Sequence, residues 1–74
     1  MSQDAMLTEI EMAASELRRL GLGSVRVCGR EGAAWLQASR ADLAAITCDP
    51  LRGAVVRAVL GAGFERVALD LEGY

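Results

Sequence analysis

The side chains with most chemical reach in this 74-residue chain are two cysteines, one tryptophan and eight arginines. Cys28 follows Arg26 by two positions in Val25-Arg26-Val27-Cys28. Residues two apart in an extended chain share a side, so the thiol has a guanidinium beside it. Such a neighbour favours the thiolate, the form that carries sulfur or exchanges disulfides. Arg26 is also a planar fork for phosphate or carboxylate. Cys48 stands at a helix end before Asp49, has no basic neighbour in sequence, and reads as packing. A plainer role exists for Cys28 too, as a small apolar filler beneath a partner.

The missing residue types narrow the chemistry further. There is no His, and every basic residue is Arg. Imidazole acid–base catalysis, Schiff-base lysine and histidine metal ligands are therefore excluded. Two cysteines twenty residues apart, without CxxC spacing or a third thiol, rule out structural zinc and argue against a disulfide framework. No glycine-rich phosphate loop is present. The chain by itself is expected to bind neither ATP nor a metal tightly, to need no cofactor, and not to act as an enzyme alone.

The elements that must hold these residues follow from periodicity. Leu7, Ile10, Ala14 and Leu17 make one helical stripe, widened by Met6, Ala13 and Leu20. Ser2 or Asp4 suits the N-cap and Gly21 the left-handed C-cap. The stretch after Gly23 alternates with period two to about Gly29, with Val25 and Val27 on one face and Arg26 and Cys28 on the other. Arg30-Glu31-Gly32-Ala33 reads as a tight hairpin turn leading to a second strand, Ala34 to Ala38. That register sets Val27 against Leu36, Cys28 against Trp35, and Arg26 against Gln37.

Ser39 caps a short helix through residues 41–46, and Asp49-Pro50 is a start signal for another that Gly61 and Gly63 end. Phe64 packs back on it. The third strand, Arg66 to Leu71, places Val67, Leu69 and Leu71 inward, with Arg66, Ala68, Asp70 and Glu72 outward. The expectation is one small α+β domain over residues 1–74, in the order α-β-β-α-β. Its three-stranded antiparallel sheet has order 2-1-3, with the Val25 strand in the middle and helices on one face.

Composition sets the partner classes. The formal charge of −2 lacks the basic stripe of a nucleic-acid binder. No apolar run approaches the roughly 20 residues of a membrane span and no signal peptide precedes the first helix, so a cytoplasmic protein is expected. A 53% hydrophobic content in so short a chain, with mean hydropathy +0.26, favours association. The sheet face without helices would carry Arg26, Cys28, Trp35, Gln37, Arg66, Ala68, Asp70 and Glu72. Trp with Arg is the combination that interfaces enrich, which makes this face a partner surface. A solvated face, or a small-ligand site with Arg26 as anion fork, are the other two readings.

Certain segments resemble a known family. Leu17-Arg18-Arg19-Leu20-Gly21-Leu22, Val25-Arg26-Val27, and Gly63-Phe64 with Val67-Ala68-Leu69-Asp70-Leu71-Glu72-Gly73-Tyr74 follow its order and spacing. The family is the LarE-type ATP-dependent sacrificial sulfur transferases, PP-loop enzymes of nickel-pincer cofactor biosynthesis. The resemblance is to their C-terminal domain. It implies a non-catalytic module that associates with itself or with a PP-loop ATP-binding subunit, completing a sulfur-transfer enzyme in trans. The catalytic domain's Ser-Gly-Gly-x-Asp-Ser loop is absent from this sequence, as is the stretch with the sacrificial cysteine. Where the family has Arg-Val-Arg this chain has Arg26-Val27-Cys28, so only the first arginine corresponds. Gln37 and Ala14 replace acidic positions, so the metal or substrate binding those acids imply does not carry over. The alternative function is a small thiol protein using Cys28 near Arg26 as sulfur carrier or redox group.

Overall fold

The computed structural model describes the backbone of residues 2–73 and the side chains of residues 7–73. Its elements run α1 (Ser2–Arg19), β1 (Arg26–Arg30), β2 (Ala33–Gln37), α2 (Arg40–Ile46), α3 (Leu51–Gly61) and β3 (Arg66–Leu69). The fold is α+β, and the two helices expected after Ser39 and after Asp49-Pro50 both lie between the second and third strands, so the element order is α-β-β-α-α-β rather than α-β-β-α-β. The capping roles of Ser2 and Asp4 and the side chain of Met6 lie outside the described residues.

Helix α1 ends where its stripe ends. The Leu22 N–H donates to Leu17 O at 2.8 Å and the Gly21 N–H to Arg18 O at 3.0 Å. Gly21 takes φ +86°. This is the Schellman arrangement, in which a left-handed residue turns the chain and satisfies the last carbonyls. Leu17 and Leu22, the positions its hydrophobic contact uses, are both buried in the core cluster. Ala13 and Leu17 are the buried members of the stripe; Leu7 and Leu20 are exposed.

The hairpin has the expected register. Arg26 pairs with Gln37, Val27 with Leu36, Cys28 with Trp35, and Arg30 with Ala33, all antiparallel. The turn residues Glu31 and Gly32 adopt φ +52° and +82°, the pair of positive angles that a two-residue turn uses to match strand twist. Glycine tolerates this; a glutamate there is strained, because its Cβ approaches the following carbonyl. Asparagine suits that first turn position better. Glu31→Asn is expected to stabilise the protein by about 0.5–1 kcal/mol, raising Tm by a few degrees. Calorimetry of the two proteins checks this, and an unchanged Tm would show that the turn relaxes around Glu31.

The third strand does not lie where the sequence placed it. The sheet order is β1-β2-β3, and β3 runs parallel to β2, with Ala33 beside Arg66 and Leu36 beside Leu69. The sheet is therefore mixed, not antiparallel, and its centre is β2. The Val25 strand forms an edge, with Val25 itself buried just ahead of the ladder. Packing of the helices gives the reason. Helix α1 contacts β1 and α3, whereas α3 contacts β3, so the α2–α3 connection sets β3 down on the far side of β2 from α1. The result is a parallel β–α–β unit, which needs a long helical crossover.

One cluster of buried side chains fills the space between sheet and helices, joining Ala13 and Leu17 of α1, Ala34 and Leu36 of β2, and Val55 and Val59 of α3. The small Ala34 and Ala38, both fully buried, let the helices settle closely on the central strand. Ser39 caps α2 as expected, accepting from the Asp42 N–H at 3.2 Å. At α3 the N-cap is Pro50 rather than Asp49; the Asp49 carboxylate instead lies 3.5 Å from Arg52. Phe64 packs into the core after the helix ends.

Past Asp70, whose N–H still donates to Leu36 O at 2.9 Å, the chain leaves the sheet. The Asp70 side chain accepts from the Glu72 N–H at 3.0 Å, and the Gly73 N–H donates to Asp70 O. This side-chain-supported turn carries Leu71 out to solvent at 83% exposure. The inward position expected for Leu71 is thus wrong, as is the strand position of Glu72. A short polar side chain that bonds backbone two residues on competes with the ladder.

Candidate association face

The helices lie on one side of the sheet, and among the described residues no element covers the other. On it the three strands set their outward side chains in rows. Arg30, Ala33 and Arg66 make the row nearest the hairpin turn; Cys28, Trp35 and Ala68 make the next. Arg26, Gln37 and Asp70 make the third, where the Gln37 Nε2 donates to Asp70 Oδ2 at 3.4 Å. Neighbours within a row are about 4.8 Å apart. Of the residues expected on this face, Arg26, Cys28, Trp35, Gln37, Arg66, Ala68 and Asp70 are brought together, whereas Glu72 lies in the turn beyond β3.

Trp35 occupies the middle of the central strand and is 39% exposed. Its indole is covered on one side by Arg30, whose guanidinium carbon lies 5.6 Å from the ring centroid. Such a cation–π contact contributes about 0.5–1 kcal/mol at exposed sites. Sequence reading left Arg30 in the turn. The signal for it was present, because Arg30 stands two residues after Cys28 and so shares its face.

The edges of the face differ in charge. Strand β1 supplies Arg26 and Arg30 around Cys28, while β3 supplies Arg66 and, just past its end, Asp70. Asp70 is engaged by Gln37 and by the turn that follows. Cys28 and Cys48 are both free thiols and both exposed. Among the described residues, no group of three or more carboxylates and thiols is assembled that would hold a metal ion. Nor is any helix long and apolar enough to cross a membrane.

An aromatic plate with flanking guanidiniums can be desolvated by a partner and anchored by carboxylates at its rim. No protein-family model matches this chain, and no curated protein matches it.

Proposed function

We propose that this chain is a non-catalytic assembly module whose open sheet face receives a partner subunit. The observation that carries the reading is Trp35, the only tryptophan, standing partly exposed at the centre of a helix-free face with Arg30 stacked on it. The resemblance of the Leu17–Leu22, Val25–Val27 and Gly63–Tyr74 segments to a sulfur-transferase C-terminal domain supplies the class of partner. It is a PP-loop ATP-binding subunit, which the module completes in trans for sulfur transfer in cofactor biosynthesis. The single tryptophan is its own reporter. Titrating the chain with a tryptophan-free variant of such a subunit is expected to shift Trp35 emission to the blue and shield it from acrylamide. Emission and quenching that stay those of the free chain at every concentration would overturn the reading.

A second reading rests on Cys28, which the structure places on the exposed face between Arg26 and Arg30 and across from Trp35. As a sulfur-carrying or redox thiol it would react with electrophiles faster than Cys48, whose own exposure serves as the internal control. Intact-mass analysis after a limiting dose of iodoacetamide, with peptide mapping, is expected to show label on Cys28 first. Equal labelling of the two would leave the thiol no special role.

A further inference from the structure

Strand β3 is an edge. A strand in that position presents unpaired N–H and C=O groups, and proteins normally blunt such edges. The Asp70 N–H donates inward to Leu36 O at 2.9 Å. Backbone groups of a strand alternate between its two neighbours, so those of Val67 and Leu69 point away from β2. The sequence on this edge, Arg66-Val67-Ala68-Leu69-Asp70, is self-complementary. Laid antiparallel on a second copy about a two-fold axis at Ala68, Arg66 falls opposite Asp70 of the other copy, and Asp70 opposite its Arg66. Val67 and Leu69 then face each other across the axis as hydrogen-bonded pairs, with their outward backbone groups meeting. We propose that β3 pairs with β3 of a second copy of this chain in this register, joining two sheets into one of six strands.

Three observations select this occupant and this edge. The register centred on Ala68 alone satisfies both charges at once, and opposite charges across a strand pair are favourable where like charges are not. The same operation on the other edge, centred on Cys28 of β1, would set Arg26 against Arg30 twice, a register that like charges disfavour. Finally, an apolar opening of about 200 Å³ lies beneath β3, lined in part by Leu36, Val55, Val56, Val67 and Leu69. Val67 and Leu69 face the helices yet are only half-buried, as expected where the sheet stops one strand short of covering its core. A second copy's β3 supplies that strand.

Edge pairing leaves the Trp35 face uncovered, so Trp35→Ala should not disturb this dimer, and the assembly reading above stands or falls on its own. Sedimentation velocity of the full chain over a concentration series is expected to show a monomer–dimer equilibrium. Arg66→Asp sets carboxylates against carboxylates and Asp70→Arg sets guanidiniums against guanidiniums. Each variant alone should dimerise roughly thirtyfold more weakly. Mixed in equal amounts they regain both opposite-charge pairs, and the dimer should return. That rescue cannot come from a folding defect, and circular dichroism of each variant checks the fold directly. A second variant, Ala68→Cys with Cys28 and Cys48 changed to serine, should form a disulfide dimer with oxidised glutathione, since the two Ala68 positions face each other at the axis. A monomeric wild type, a dimer indifferent to Arg66→Asp, or a mixture that stays monomeric would each overturn the proposal.

Discussion

Leu36→Ala is expected to destabilise the protein by about 3 kcal/mol, while Leu71→Ala changes stability by less than about 0.5 kcal/mol. Both leucines sit on strands or their continuations, and period-two alternation alone assigns both to the core. Leu36 is 1% exposed at the centre of β2, with α3 above it and strands on both sides. Its removal enlarges the apolar opening beneath β3 that Leu36 already lines, and the paired strands on either side keep the space from closing. A chain of this length has a total stability of roughly 4–11 kcal/mol, so the loss is a large share of it. With about 4–8 °C of Tm per kcal/mol in domains this small, Leu36→Ala should melt roughly 12–24 °C below wild type. Leu71 has little to lose, because the Asp70 turn holds it in solvent. Thermal melts at low protein concentration, where monomers dominate, provide the comparison; equal shifts for the two would mean the turn after β3 is not populated.

That contrast shows where sequence is informative about this fold. The hairpin was legible to the residue because two alternating strands and a turn of fixed length constrain one another. A one-residue slip would bury Arg26 and Gln37, so the register had one acceptable solution. The helices were legible from their stripes and from Gly21, Ser39 and Gly61. The place of β3 was not, because alternation fixes the faces of a strand and says nothing about its neighbour. Its neighbour is decided by which hairpin edge α1 leaves open, a long-range packing choice. A hint existed in composition: Ala33-Ala34-Trp35-Leu36 is a continuous apolar run, as central strands tend to be, whereas β1 carries two arginines and Gly29. The end of β3 was missed for a local reason, since Asp70 reads as one more outward position until its carboxylate is seen capping the turn.

The candidate face was legible to the same degree as the hairpin. Its members on the three strands share one side because each lies an even number of positions from a fixed partner in its strand; only Glu72, beyond the end of β3, is lost from it. Arg30 escaped notice because turn residues are read for their backbone and not for their side chains. Its position matters energetically, since it covers an indole that the helices leave bare. The solvent side of β2 is thereby partly organised before any partner arrives, and less side-chain entropy remains to be lost on contact.

Trp35→Ala is accordingly expected to weaken binding of the partner subunit by roughly thirtyfold, about 2 kcal/mol, while lowering the stability of the free chain by only about 1 kcal/mol. The two costs separate because the indole lies on the outer face. Within the monomer it loses the Arg30 contact and its cross-strand neighbour Cys28, both modest at a solvated site. At a desolvated centre it loses the whole ring area, and Arg30 is left under the partner without its plate. Trp35→Phe keeps an aromatic surface for Arg30 and should retain most of the affinity, which distinguishes an anchoring ring from a merely structural one. Calorimetric titration of the three proteins with the same PP-loop subunit, beside their thermal melts, measures both quantities. If Trp35→Ala binds as tightly as wild type, the open face is solvent surface and the partner docks elsewhere. If affinity and melting temperature fall in step for all three, the ring acts through the fold alone. Only a loss of affinity that outruns the loss of stability places the contact on the row of Cys28, Trp35 and Ala68.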